Sequence, residues 1–292
     1  MRADLKRRLG VAVVGIPVGF GVVWSGGWVL ALVLLALGVI GSHEVIRLAQ
    51  ARGIRAFAWI ALPVAAALLG SAQALGDPAV WGGWAFGLTL ASALLALLAA
   101  VFFRGSAGQP LEAVAVTVLA PLYTAAPLAF GLFLRDHPAS ASVTFGWAGT
   151  FLLLFPLIVT WFGDSGAYFG GHAMGRRKLM PSVSPAKTVE GSAWGLVASV
   201  LGAVFLSTVV LPLLGGGELL SWRAAAILGL ILGAVAQTGD LAESALKRSS
   251  GVKDSGVIIP GHGGVLDRFD AVFLTLPVFW LLLPFFLGWG TR

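Results

Sequence analysis

The stretch that decides the fold runs from Ile227 to Ser250, ILGLILGAVAQTGDLAESALKRSS: an uncharged run up to Gly239 leads straight into Asp240, Glu243, Lys247 and Arg248. Extended upstream through Ala224, the run has the length and composition of a helix crossing a hydrocarbon core of roughly 30 Å. The charges follow where such a helix would emerge. The same pattern recurs in FLLLFPLIVTWFG, Phe151 to Gly163, which ends on Asp164. Working outward, apolar stretches fall at about 9–24, 26–46, 56–76, 79–103, 111–134, 147–170, 190–214, 224–243 and 270–289. The expected fold class is therefore an all-α polytopic membrane protein of about nine transmembrane helices. The first two are parted only by Ser25, Gly26 and Gly27, and the first is short for a full crossing.

Composition agrees. The chain has 292 residues, 58% of them hydrophobic and 11% charged, and a mean hydropathy of +0.93, which leaves no room for a separate soluble domain. We expect one continuous membrane domain, with N-terminal helices over 1–110 and a catalytic region over 111–292. With no cysteine, a disulfide scaffold, zinc–thiolate chemistry and a Cys nucleophile are all excluded. Asn is absent too, so there is no N-glycosylation sequon. The basic start, MRADLKRR, runs into an apolar segment followed by further spans, and reads as a retained first helix rather than a signal peptide.

Lys and Arg accumulate in cytoplasmic loops. With nine spans and a cytoplasmic N-terminus, all of the 19 basic residues except Arg135, Arg223 and Arg292 fall inside. That partition places two polar loops, 171–189 and 244–269, on the cytoplasmic face, where they would form the active site. The net charge of +6 needs no nucleic-acid partner, since the positive-inside bias explains it, and the 11% aromatic content suits lipid-facing spans.

Acidic residues within or at the ends of apolar spans are costly and are functional candidates by default; here they are Asp164, Asp240 and Glu243. Asp240, Glu243, Ser244 and Lys247 share one helix face. The bland alternative is a buried ion pair that fixes helix packing. From Ser244 to Asp270 the chain reads SALKRSSGVKDSGVIIPGHGGVLDRFD, gathering Lys247, Arg248, Lys253, Asp254, His262, Asp267, Arg268 and Asp270. Carboxylates at a cytosolic helix mouth suit Mg²⁺, a hard ion that takes oxygen ligands and keeps positions for substrate phosphates. The neighbouring Lys and Arg suit phosphate oxygens, and Gly261, Gly263 and Gly264 allow the backbone close to a ligand. In PSVSPAKTVEG, Pro181 to Gly191, residues Ser182, Ser184, Lys187 and Thr188 precede a helix start that itself favours anions. Lys187 opposes the N-terminal dipole there unless an anion is bound.

Other patterns fail. GGHAMGRR, Gly170 to Arg177, lacks the Lys and Ser/Thr of a phosphate loop. His43-Glu44 has no second His a turn away and reads as an interfacial pair, and the lone His172 reads as structural.

The run Ser244, Leu246, Lys247, Arg248, Lys253, Asp254, Pro260, His262, Gly263, Gly264, Asp267, Arg268 and Asp270 resembles the signature of the phosphatidate cytidylyltransferases, the CDP-diacylglycerol synthases. The resemblance extends to Ser184, Pro185, Lys187, Thr188, Glu190 and Gly191, and to Asp164, Ala167 and Tyr168, and covers roughly the C-terminal half; Ala271 departs from the Ser of many members. It implies an enzyme of the cell inner (plasma) membrane, often a homodimer, that joins CTP and phosphatidate into CDP-diacylglycerol with release of pyrophosphate. It further implies Mg²⁺ on Asp240 and Asp267, with Asp164, Glu243 and Asp270 as further candidates and a monovalent cation such as K⁺ as an optional companion. Lys187, Lys247, Arg248, Asp254, His262 and Arg268 are then the catalytic candidates. Ser184, Lys187, Thr188, Ser244, Lys253, Gly263 and Gly264 are candidates for substrate binding. A CDP-alcohol phosphotransferase shares Gly263, Asp267 and Asp270 but requires upstream elements that are missing. An ion-coupled transporter would use Asp164, Asp240 and Glu243 and leaves the charged, glycine-rich loops unexplained.

Overall fold

The structure, a computed structural model, describes residues 2–105, 107–137, 147–215, 219–256 and 263–287, with side chains from Val13 onward. Its helices are α1 (Arg2–Ser25), α2 (Gly27–Gln50), α3 (Ala58–Leu75), α4 (Pro78–Phe103), α5 (Pro110–Arg135) and α6 (Ala148–Met174). A two-stranded hairpin, β1 (Lys178–Met180) and β2 (Ser184–Thr188), leads into α7 (Val189–Phe205). A π turn over Leu206–Val210 and the short α8 (Leu211–Leu213) continue that helix; α9 (Trp222–Ser249), α10 (Leu266–Phe269) and α11 (Val272–Phe286) follow. Among the described residues, eight helical stretches are long and apolar enough to cross a membrane, from Gly27–Gln50 to Leu266–Phe286; Val13–Ser25 is a shorter apolar helix. The protein is thus an all-α polytopic membrane protein with one small hairpin.

The break between α1 and α2 rests on two glycines. Gly26 and Gly27 take φ of +59° and +50°, a left-handed backbone that side-chain-bearing residues rarely adopt.

The chain forms two compact units. The first, residues 1–133 with 246–269, is built on α2, α3 and α4, whose contacts are made by small residues, as helices packed in lipid require. Ala96, Ala99, Ala100 and Ala113 surround Phe57 and Ile60, and a Cβ added at Gly38 would lie 2.6 Å from Leu69 and 3.1 Å from Ala125. Buried hydroxyls find partners between helices: Ser42 Oγ meets Thr124 Oγ1 at 2.7 Å, and the Phe57 amide donates to Thr117 Oγ1 at 2.9 Å. Asp77 caps α4 by accepting from the Ala79 amide at 2.8 Å, with Pro78 at the first helical position.

The second unit, residues 134–245 with 270–292, centres on α6 against α7. A Cβ added at Gly163, Gly166 or Gly170 would collide with Ser199, Ala198 or Trp194 respectively, so this glycine stripe lets two backbones approach closely. Phe155 of α6 stacks on Phe279 of α11 at 5.1 Å between ring centroids.

The polar segment 171–189, expected to be a loop, is more ordered than that. α6 continues to Met174, and the hairpin pairs Lys178 with Thr188 and Met180 with Ser184. Glu190 fixes its base by accepting from the amides of Arg176 and Arg177 at 3.0 and 3.1 Å. Pro185 argues against a strand when read alone, but a two-stranded sheet consists only of edges, where a missing N–H costs nothing.

Candidate active site

Two lysine–carboxylate pairs organise the polar residues, one in each unit. In the second unit Lys187, at the end of β2, places Nζ 2.5 Å from Asp240 Oδ2 on α9, and Ser244 Oγ reaches Asp240 Oδ1 at 3.5 Å. The unfavourable cation at the start of α7 therefore has a protein counter-charge. Thr188 caps α7, its Oγ1 accepting from the Gly191 amide at 3.1 Å. The pair is partly open, with 27% of the Lys187 and 34% of the Asp240 side chain exposed. It borders a cavity of about 490 Å³ lined also by Asp164, Tyr168, His172, Thr188 and Gln237. Asp164 and Asp270 lie within electrostatic range of both Asp240 and Lys187. Gln237 is oriented by Ser192, which donates to its Oε1 and accepts from its Nε2. His172 stacks on Tyr168 at 5.5 Å, so it lines this cavity as well as packing.

In the first unit Lys247 Nζ donates to Asp267 Oδ1 at 2.6 Å, and the side chains are only 13% and 10% exposed. The other oxygen, Oδ2, receives the Ser255 amide at 3.0 Å, the Gly264 amide at 2.9 Å and Ser255 Oγ at 3.0 Å. Gly263 makes this possible: its φ is +84°, and a Cβ there would lie 2.6 Å from Asp267 Oδ2. Lys253, Asp254, Arg248 and Arg268 are exposed around the pair, Arg248 with Nη1 3.4 Å from the Val252 carbonyl. Ser184 opens β2 opposite Met180, and Glu243 is buried at 1% exposure. His262, with Pro260 and Gly261, lies outside the described residues.

The sequence reading missed Glu44. It is buried at 1% exposure while His43 beside it is exposed. It accepts from the amides of Val265 at 3.0 Å and Leu266 at 2.8 Å, and from Ser255 Oγ at 3.1 Å. The signal existed: a carboxylate in an otherwise apolar helix is a functional candidate wherever it falls. In the sequence it reads only with His43, as half of a pair lacking a second His, and its partners lie more than 200 positions away. Ser255 and Gln237 were missed as well, because their partners, Glu44 and Ser192, lie 211 and 45 positions away.

Among the described residues no three His, Asp or Glu side chains converge to hold a metal by themselves. The donors at hand, single carboxylates beside lysines, fit an ion that takes one or two protein oxygens and completes its shell with water and phosphate, as Mg²⁺ does.

Fold and site together define a polytopic helical membrane protein equipped with cation–carboxylate pairs suited to phosphate chemistry. Residues 6–286 match the Cytidylyltransferase family, and the chain belongs to that family. A phosphatidate cytidylyltransferase of Bacillus subtilis is 45% identical over 139 residues, 47% of this chain and 49% of that protein. One of Haemophilus influenzae is 48% identical over 132 residues, 45% of each chain. One of Synechocystis sp. is 31% identical over 311 residues, 95% of this chain and 97% of that protein. The chain thus spans about half the length of the first two and nearly all of the third.

Proposed function

We propose that this protein transfers the cytidylyl group of CTP to phosphatidate, giving CDP-diacylglycerol and pyrophosphate, as a step of phospholipid synthesis in the membrane. The observation that supports it most is the coincidence of the signature residues with two Lys–Asp pairs, in a chain matched over nearly its whole length by a phosphatidate cytidylyltransferase.

A phosphatidate oxygen attacks the α-phosphorus of CTP, the new P–O bond forms as the bond to the β-phosphate oxygen breaks, and pyrophosphate leaves. No protein nucleophile is needed, because the lipid phosphate carries its own. The obstacle is repulsion between two anions, so catalysis is positioning and charge neutralisation. Lys187 grips one phosphate, with Ser184 and Thr188 hydroxyls beside it. Lys247, Arg248, Lys253 and Arg268 supply further cations, and Ser244, Gly263 and Gly264 help shape the substrate contacts. Asp240 and Asp267 are the candidate ligands for Mg²⁺, with Asp164, Glu243 and Asp270 in reserve; when bound, the ion would neutralise phosphate charge. Asp254 and His262 are the remaining catalytic candidates, and His262 would accept a proton if phosphatidate binds as its monoanion.

Purified protein with labelled CTP and phosphatidate, each omitted in turn, tests the reading. Pyrophosphate should appear only with both present, and CTP made chiral by sulfur at the α-phosphorus should react with inversion. Release without phosphatidate, or retention of configuration, would overturn direct transfer.

The same reading puts both polar segments in the cytosol, where CTP is. Single cysteines replacing Ser182 and Ser250 in this Cys-free chain should react with an impermeant reagent only after permeabilisation; labelling in intact cells contradicts that orientation.

A further inference from the structure

We infer that Glu44 is a positioning residue for the reaction proposed above: it holds the Ser255 hydroxyl and the Val265 and Leu266 amides in place so that the Asp267 carboxylate keeps its partners. The inference rests on that functional reading for its kinetic part only.

Glu44 lies in α2, distant in sequence from every signature residue, yet its carboxylate is wholly occupied by the signature segment. Oε1 accepts from the Val265 amide, while Oε2 accepts from the Leu266 amide and from Ser255 Oγ. The same Ser255 hydroxyl is 3.0 Å from Asp267 Oδ2. The Ser255 hydroxyl thereby stands between two carboxylates that share its single proton, while the amides are divided, Val265 and Leu266 to Glu44 and Ser255 and Gly264 to Asp267. The fit is close: a Cβ added at Gly256 or at Gly264 would come within 2.5 Å of Glu44 Oε1. Just beyond the end of α2, Arg52 donates to the carbonyl of Ser249, where α9 ends. α2 and the turn that follows it therefore grip the chain at the exit from α9 and again at Ser255, Val265 and Leu266.

Burying a carboxylate is costly unless it is fully hydrogen-bonded. Here the bonds are made to backbone amides and a serine rather than to a cation, an arrangement that specifies a backbone conformation. Removing it leaves two buried amides without acceptors and frees Ser255 from its bridging position. Gly264, whose amide binds Asp267 Oδ2, is the residue directly before Val265. The consequence falls on Asp267 and, through it, on Lys247.

The test uses the full chain in lipid nanodiscs with four variants. Glu44→Gln keeps the length but replaces an acceptor by a donor, Glu44→Asp keeps both acceptors but is shorter, and Ser255→Ala removes the bridge. Ser42→Ala, two residues from Glu44 on the same helix, deletes the buried contact to Thr124 of α5 and controls for loss of helix packing alone. Amide exchange in peptides covering 255–256 and 263–269 is followed by mass spectrometry, alongside kcat and KM for CTP. In Glu44→Gln, exchange at Gly264 to Leu266 should quicken by at least about tenfold and kcat fall by at least about tenfold, with KM within about twofold. Glu44→Asp should lie between Gln and wild type, Ser255→Ala should share the kcat loss in smaller measure, and Ser42→Ala should change neither quantity. Unchanged exchange in Glu44→Gln, faster exchange at undiminished kcat, or equal effects from Ser42→Ala would each overturn the inference. Should Glu44→Gln not fold, Glu44→Asp and Ser255→Ala carry the same comparison. If the wild type consumes no CTP, the functional reading fails by itself, and the exchange data still decide whether Glu44 holds this segment.

Discussion

The two lysine–carboxylate pairs use the same chemistry in opposite ways. Asp267 is enclosed: one oxygen takes Lys247, the other takes two amides and a hydroxyl, and about a tenth of the side chain is exposed. Asp240 is met among the described residues by Lys187 and a long contact to Ser244, keeps about a third of its side chain exposed, and borders a cavity. A carboxylate with spare lone pairs beside open space can accept a metal or reorganise around a substrate at little cost. One whose oxygens are already filled spends its hydrogen bonds on fixing the backbone. On this comparison Asp240 is the more available ligand, and Asp267 could join a metal only through Oδ1, at the expense of Lys247.

The largest effect should separate the pairs by stability as well as rate. Asp240→Asn and Asp267→Asn should each lower kcat at saturating Mg²⁺ by at least about 10²-fold, the scale of losing one preorganised electrostatic element. Their folding should differ. Asp267→Asn removes the charge that faces Lys247 in a nearly closed site and should cost roughly 3 kcal/mol, as breaking buried pairs does, whereas Asp240→Asn, partly solvated, should cost less than about 1 kcal/mol. Turnover at saturating Mg²⁺ and thermal unfolding of both variants check this. Equal stability losses would erase the contrast, and near-normal turnover would remove that residue from the catalytic set.

A smaller difference should separate the lysines. Lys187→Ala should reduce kcat/KM by about tenfold or more while leaving unfolding almost unchanged, and Lys187→Arg should restore only part, since a planar fork does not reproduce a point charge. Lys247→Ala should show both a rate loss and a lower unfolding temperature, because Asp267 loses the cation bonded to its Oδ1. Steady-state kinetics beside thermal melts decide. An active Lys187→Ala enzyme would reduce Lys187 to a structural partner of Asp240.

Much of the molecule is legible in its sequence, because membrane burial acts locally. Apolar length alone sets which segments can cross a hydrocarbon core, so the helices appear as runs such as Phe151–Gly163 and Ile227–Gly239. Segments such as Ser244–Asp270 stand out because charge is scarce everywhere else, and their residue types already indicate phosphate chemistry. Partnership was not legible. That Lys187 faces Asp240 and that Glu44 holds Val265 and Leu266 depend on contacts between segments tens to hundreds of residues apart, and that Asp267 receives the Ser255 and Gly264 amides depends on a backbone path that residue types do not spell out. The hairpin over Lys178–Thr188 was hidden likewise, because Glu190 secures it by reaching back to amides that no pattern of side chains reveals. Local sequence determines where a helix can form and where charge collects; which donor meets which acceptor is decided only when the chain closes on itself, since a buried polar group is stable only with its partner in place.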